Sequence, residues 1–486
     1  MLTIFTGGSA KDCEGTTRRD FLRVGTLSLG GLTLPSLLAT KASAADADYI
    51  NDKSVVLLYL SGGASHIETF DPKMTAPEGI RSVTGEVKTP LPGVTFGGTF
   101  PQLASLADKM AVVRSHAHPI GGHEQAHVHV LSGGTDPQGS QASGQSFGSV
   151  YARIRGTNHP RTGMPTYTLL TEREIDGQYS KEKGRILKGS WPGNLGQAHA
   201  PFGHEIGWED SAQQQGGRNN RSRNGKAENT FASAMKLNQP AEMLDDRMSL
   251  LGKIDRLRRE ADTVGGMGAV DKFNRQAIDL VLGGASDAFD FKQEDSKLIE
   301  RYDTSDIQIG KKVFRPSTLG KQLLVARRLC EAGCGFVTVH SAGWDMHADG
   351  NNPPMVRGME MLGRSLDKAV SAFIGDIHAR GLDKKILLVI TGDFGRTPKV
   401  NARGGRDHWA RLGTLAFAGG GLNMGQVIGQ SARGADVPAT TPIDAGNLMA
   451  TVFHTLFDIG KLRLDSALPT ELSRLVQNGE PIGELF

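Results

Sequence analysis

Short, wholly apolar runs alternate along the chain with longer amphipathic segments. "SVVLLYLSGG" (Ser54–Gly63) is a continuous hydrophobic run that ends in glycines. A run without polar alternation suits a strand buried on both faces and opening into a loop. "KMAVVRSH" (Lys109–His116), "FVTVH" (Phe336–His340), "KILLVIT" (Lys385–Thr391) and "LGTLAFAGG" (Leu412–Gly420) read as further strands. Helical periods stand between and after them: Thr318–Gly333 with a glycine stop, a long amphipathic stretch over Met355–Gly381, and a closing helix over Ile443–Gly460. Strands alternating with helices predict an α/β fold, a mostly parallel central sheet sandwiched between helices.

The middle of the chain breaks this rhythm. Glu209–Thr230 is polar and rich in Gly, Asn and Gln, and reads as a surface loop, with a substrate cover as the functional alternative. Ala241–Asp262 reads as a charged amphipathic helix inside a helical excursion from the sheet over residues 241–310.

The first 44 residues read as a leader rather than fold. "TTRRDFLRV" places Arg18 and Arg19 just before Phe21 and Leu22, an apolar Gly-rich run follows, and "ASA" (Ala42–Ala44) closes it. That is a twin-arginine signal with a small-residue cleavage site. A membrane anchor is the competing reading, but the run falls short of the roughly 20 residues that span a bilayer. The expectation is a domain over residues 45–486, exported folded to the periplasm or beyond, with the twin-arginine machinery as partner and no transmembrane helix after the leader.

Composition adds exclusions. Of 55 basic and 52 acidic residues, five and three lie in the leader, so the remainder is close to neutral and offers no basic field for nucleic acid. The 63 glycines predict many loops and tight turns. Cys330 and Cys334 lie four apart with no second pair for a zinc ribbon, and are expected as small core residues rather than a disulfide.

In an open α/β sheet, ligands gather beyond the carboxyl ends of the strands. Polar clusters fall there four times: Ser61–Asp71, Ser115–His129, Ser341–Gly350 and Gly392–Pro398. They carry His66, five histidines from His116 to His129 (His116, His118, His123, His127, His129), then Asp345, His347 and Asp393, with Asp407 and His408 following. Mixed imidazole and carboxylate donors suit zinc, manganese or iron better than calcium. In "WDMH", Asp345 and His347 are i and i+2, which project to one side of an extended segment. In "RDHW", neighbours face opposite ways, so His408 is the expected ligand and Asp407 an outer residue that orients an imidazole. Asp393 is either a ligand or a turn aspartate between Gly392 and Gly395. Arg396 either clamps an anionic ester or forms a surface ion pair. His66, Asp71, His127 and Asp407 are additional candidates. The Asp393-Phe394-Gly395 triplet is no kinase signature, because "RDH" lies downstream of it and the upstream kinase elements are absent.

Together, "LLYLSGGASHIETFDPK", "WPGNLGQAHAPF", "GWDMH", "GDFGRTPKVN" and "GRDHW" resemble the domain-of-unknown-function 1501 family, exported after a twin-arginine signal. The match runs over almost all of the chain after the leader. That family looks like a branch of the alkaline phosphatase/sulfatase superfamily. The resemblance implies a mostly parallel sheet between helices, one or two divalent metal ions at the strand ends, and cleavage or transfer of phosphate or sulfate esters. Asp345 and His347 resemble its metal pair, Asp393-Phe394-Gly395 its late Asp-His-Gly, and His408 its final histidine ligand. "GGHEQAHVHVLSGG" resembles the nucleophile segment and puts His123 where relatives carry a modified Cys, Ser or Thr.

The departures are Ser61 where the first strand should end in a metal-binding Asp, with Asp71, Glu68 or His66 as substitutes, and Phe394 where a second metal would have a histidine. No Cys lies in a formylglycine context. Three readings stay open: His123 attacks directly, His123 ligates the metal, or a metal-bound hydroxide attacks with a histidine as general acid/base. The function implied is an exported metal-dependent hydrolase of small-molecule or polysaccharide phosphate or sulfate esters, with one complete metal site. The alternative is a sulfatase-fold protein of the periplasm or cell envelope that binds without catalysis. Phosphomutase chemistry fits poorly with export.

Overall fold

A computed structural model describes residues 48–172, 179–206, 285–291, 294–466, 468–477 and 479–486. The leader, the polar loop 209–230 and the helix expected at 241–262 lie outside the described residues, which fall almost entirely in the compact unit Tyr49–Lys236 and Ile278–Phe486.

The core is an eight-stranded sheet. Its strands in chain order are β1 (Ser54–Leu60), β2 (Met110–Val113), β3 (Tyr167–Glu172), β4 (Phe202–Ile206), β5 (Phe336–Ser341), β6 (Ile386–Gly392), β7 (Leu415–Gly419) and β8 (Gln426–Ile428). Across the sheet they run β8-β2-β7-β6-β1-β5-β3-β4. β1 lies between β6 and β5, parallel to both. β7 is antiparallel to β6 and to β2, and every other pairing is parallel. The sheet is thus mostly parallel, as the strand–helix alternation implies.

Burial explains the apolar runs. Every residue of β1 from Val55 to Leu60 is buried. Val56, Leu58 and Leu60 join a core with α4 (Leu319–Glu331) and α5 (Arg364–Ala379), including Leu323, Val370 and Phe373. On the opposite face, Tyr59 meets His127 of α1 (His123–Leu131), ring centroids 5.0 Å apart. With α1 stand α2 (Phe147–Arg155), α3 (Ser180–Gly189) and α6 (Ala445–Leu456). Ser146 caps α2 through the Ser149 amide, and an Asp444–Asn447 capping box starts α6, which satisfies donors that helix starts leave open. The long helix expected over Met355–Gly381 arrives in pieces, with a π-helical turn over Met359–Gly363 ahead of α5. Cys330 and Cys334 are buried and unbridged. Among the described residues, no helix is long and apolar enough to cross a membrane.

Candidate metal centre

Four segments meet beyond the carboxyl ends of the central strands: Ser61–Asp71 after β1, the start of α1 after β2, Ala342–Asp349 after β5, and Asp393–Arg396 after β6. Gly62 and Gly63 make the tight approach possible. Both have positive φ, 107° and 83°, and a Cβ on Gly62 would stand 2.4 Å from the Asp345 amide nitrogen. A two-stranded ribbon pairs Gly395–Arg396 with His408–Trp409 and so brings His408 back over the site.

Asp345 is the hub. His347 Nε2 lies 2.9 Å from its Oδ1, Arg396 Nη2 at 2.5 Å and His408 Nε2 at 3.5 Å, while His123 Nε2 lies 3.3 Å from Oδ2. His123, Asp345 and His408 each present one ligand atom, and those atoms lie within 4.8 Å of one another. The imidazoles crowd together, with centroids of His123 and His408 4.2 Å apart and of His347 and His408 4.6 Å apart. Phe394 fills the space beside them, 4.8 Å from His123 and 4.7 Å from His408.

The donor atoms fit a metal ion on a specific ground. Buried polar atoms without a hydrogen bond are rare and costly. His123 Nε2 and His408 Nε2 are both buried and without one. Their approach to Asp345 is an ion-pair distance without hydrogen-bond geometry. The other nitrogen of each ring is engaged: His123 Nδ1 bonds Asp393 Oδ2, and His408 Nδ1 donates to the Gly121 carbonyl at 3.1 Å. A proton on Nδ1 leaves the lone pair on Nε2, which is the tautomer that ligates metal. His347 repeats the pattern, with Nδ1 2.9 Å from Asp407 Oδ1. Its Nε2 serves only one partner at a time: protonated it donates to Asp345, and neutral it accepts from Arg396 Nη1 at 3.3 Å or ligates metal.

Asp393 sits behind His123. It is fully buried, its Oδ1 accepts from the Gly62 amide at 3.0 Å, and its Oδ2 holds His123. Burial works against charge on both partners and their mutual attraction outweighs it. His123 is raised to about 9 by Asp393 and Asp345, and Asp393 is lowered to about 2, chiefly by His123 and His127. Asp345 is held below the usual carboxylate range: its burial is outweighed by His123, His347, His408 and Arg396. His408 is lowered by burial, which the Asp345 contact only partly offsets.

Arg396 has no exposed surface. Nε donates to Gly63 O at 2.8 Å, Nη1 to Arg406 O at 3.2 Å, and Nη2 to Gly62 O and Asp345. With Nη1 also beside His347, the five donors all meet protein atoms, so the guanidinium spans the β1 loop, the ribbon and Asp345.

His127 lies one turn beyond His123 and under the centre. Its Nδ1 donates to the His123 carbonyl at 2.8 Å, and its Nε2 meets Ser61 Oγ at 2.9 Å, with His340 Nε2 on the same hydroxyl at 2.9 Å. Ser61 therefore bridges two imidazoles that burial pushes down, His340 to about 3. His66 and Asp71 are placed elsewhere. His66 Nε2 donates to Ala435 O at 3.0 Å, and Asp71 faces Ser431, Arg114 and Lys73. Two contributions escape sequence reasoning. The Gly121 carbonyl sets the His408 tautomer, and a fully buried Arg406–Glu68 pair at 2.8 Å anchors the ribbon segment before His408. A buried arginine inside "GGRDHW" carries no period or motif that would announce it.

An α/β protein with a strand-end cluster of imidazoles and one carboxylate is, by class, a candidate metalloprotein. The chain belongs to the family described as protein of unknown function (DUF1501), whose model matches residues 52–486. No curated protein matches the chain. Solved structures it is similar to include Ps i-CgsB in complex with k-i-k-neocarrahexaose, at 9% identity over 88% of this chain and 75% of that one, TM-score 0.37. Others are the PsFucS1 sulfatase from Pseudoalteromonas sp. (10%, 87% and 72%, TM-score 0.34) and alkaline phosphatase from the Antarctic bacterium TAB5 (9%, 83% and 98%, TM-score 0.33). Likenesses this weak carry no argument about what the chain does.

Proposed function

We propose that this chain is an exported, metal-dependent hydrolase of phosphate or sulfate esters. The single observation that carries the reading is the pair of orphaned nitrogens, His123 Nε2 and His408 Nε2, turned toward the Asp345 carboxylate. His123, Asp345 and His408 would hold one ion, with His347 as a fourth donor. Three imidazoles and a carboxylate favour zinc or manganese over calcium. A divalent ion supplies positive charge against the ester oxygens and lowers the pKa of water.

The chain's own residues do the rest. Asp393 and Gly121 fix the ring orientations of His123 and His408, and Asp407 that of His347. Arg396 positions Asp345 rather than reaching for an ester. Phe394 excludes water from one side of the imidazoles, being 2% exposed. Among the three readings of His123, its free Nε2 supports the ligand. The leader at residues 1–44 supports export by the twin-arginine route.

The saturation of Arg396 favours a second reading, a binding protein that kept the fold and the ion without turnover. The discriminating experiment loads the protein with zinc or manganese and measures hydrolysis of 4-nitrophenyl phosphate and 4-nitrophenyl sulfate. Metal-dependent release of nitrophenol that Asp345→Ala abolishes is expected. Stoichiometric metal with no hydrolysis of either ester would sink the hydrolase in favour of the second reading.

A further inference from the structure

α1 begins without a side-chain cap. Its N-cap residue is Gly122, and no side chain accepts from the amides of its first turn, whereas Ser146 does so for α2 and Asp444 for α6. The Ala126 amide donates to the Gly122 carbonyl at 2.9 Å, and among the described residues no acceptor meets the amides of His123, Glu124 and Gln125. The Glu124 carboxylate does not turn back to cap them. It goes to α3 instead, with Arg185 Nε 2.9 Å from Oε1 and Lys188 Nζ 3.9 Å from Oε2. Gly121, Glu124 and Gln125 are exposed, and among the described residues nothing lies within 4 Å of a Cβ placed on Gly121. The helix thus opens into free space with three donors and the positive end of its dipole.

Its place at the metal centre is fixed from two sides. His123 is the first residue of the helix, and helical side chains lean toward the N-terminus. The His123 side chain is 8% exposed, and its Nε2 is buried, without a hydrogen bond, 3.3 Å from Asp345 Oδ2. On the other side, the carbonyl of Gly121, one residue before the N-cap, accepts from His408 Nδ1 at 3.1 Å. The two rings stand 4.2 Å apart between centroids, so the helix starts beside both orphaned nitrogens. Arg396 offers no donor to an anion there, being spent on the Gly62, Gly63 and Arg406 carbonyls and on Asp345. The open donors at the centre belong to the backbone of α1.

We propose that the N-terminus of α1 is the anion-binding half of the centre, an assignment that rests on the hydrolase reading above. The amides of His123, Glu124 and Gln125 donate to the non-bridging oxygens of a phosphate or sulfate group. Adjacent N–H groups at the positive end of a helix suit a tetrahedral oxyanion. This half of the site therefore reads the phosphoryl or sulfuryl group and not the alcohol attached to it. Donors already in place cost no reorganisation, and they hold the group more strongly as charge builds on its oxygens in the transition state.

The test measures binding of inorganic phosphate and inorganic sulfate by calorimetry to the zinc- or manganese-loaded wild type, Gly122→Asn and Gly122→Ala, with metal content and thermal unfolding of each. Gly122 has φ −104° and ψ 132°, extended backbone that other residues adopt, and its Cβ would meet only the movable Gln125 side chain, Oε1 at 2.7 Å. An asparagine at the N-cap accepts from the amides two or three residues on, here those of Glu124 and Gln125, without adding charge. Gly122→Asn is therefore expected to keep its metal, to unfold no earlier than wild type, and to bind the anions about tenfold more weakly, the effect of one lost hydrogen bond to a charged group. Gly122→Ala adds the Cβ without an acceptor and is expected to bind them as the wild type does. Equal affinity in wild type and Gly122→Asn overturns the proposal, as does an equal loss in both variants, or a loaded wild type that binds neither anion. If Gly122→Asn does not fold, the wild type decides alone: the amide resonances of His123, Glu124 and Gln125 are expected to shift on adding phosphate, and unmoved resonances overturn the assignment. A wild type that hydrolyses 4-nitrophenyl phosphate while Gly122→Asn binds phosphate undiminished overturns this assignment only. One that binds phosphate at these amides and hydrolyses neither nitrophenyl ester overturns the hydrolase reading and upholds the anion site.

Discussion

His123 donates through Nδ1 to the buried Asp393 carboxylate, and this one contact leaves its Nε2 unpartnered and facing Asp345. The relationship assigns the two residues different jobs. Asp393, met in the sequence as a candidate ligand, stands behind the imidazole, whose other nitrogen is left for the proposed ion. Asp393→Asn is expected to weaken metal binding by about 10- to 100-fold while leaving the fold intact, since a carboxylate behind a ligating histidine tunes affinity by that much. Calorimetric titration with zinc checks it. A loss of all binding would make Asp393 a direct ligand.

Metal uptake is expected to release protons at neutral pH. In the metal-free chain Asp393 and Asp345 keep His123 protonated up to about 9, against burial, and ligation needs its lone pair. Apparent affinity should rise with pH and level off above about 9. Titration in buffers of different ionisation enthalpy counts the protons.

Without metal, the same pair ties stability to pH. His123 is raised from 6.5 to about 9, so its contribution is complete below 6.5 and is lost as pH rises through 9. Asp393 is lowered from 3.8 to about 2, so its contribution is present above 3.8 and is lost as pH falls through 2. Denaturant midpoints of the chelator-treated protein should therefore peak between these windows, and those of Asp393→Asn should depend less on pH in both.

Arg396→Met is expected to destabilise the protein by about 3–5 kcal/mol, because it strands the Gly62 and Gly63 carbonyls and leaves Asp345 without its guanidinium. Urea unfolding measures this. A variant of wild-type stability with only a raised KM would restore Arg396 as a clamp on the ester.

Gly62→Ala tests the turn beneath the centre. The added Cβ meets the Asp345 backbone at 2.4 Å and forces φ out of its 107° well. Backbone strain of about 1–3 kcal/mol and a drop in metal affinity are expected together.

How much of this the sequence carried depends on which force sets each feature. β1, β5 and β6 are legible because strands buried on both faces need unbroken apolar runs. α1 is not: its residues follow a strand as a polar cluster, and "HEQAHVHVL" becomes a helix with seven buried residues only because the sheet and α3 enclose it. β4 ("FGHEI") and β8 ("QVI") are too short and polar to stand out and depend on their neighbours for pairing. At the site, the i, i+2 spacing of Asp345 and His347 does bring the side chains together. Arg396 carries no sign of its burial, which comes from carbonyls more than 300 residues away in the chain.

Anomalous diffraction at the zinc edge, from crystals grown with zinc, tests the central claim most directly. The account predicts one strong peak about 2.0–2.2 Å from His123 Nε2, His408 Nε2 and an Asp345 oxygen. A peak held instead by His66 or Asp71, or none in a protein with the same side-chain arrangement, would contradict it.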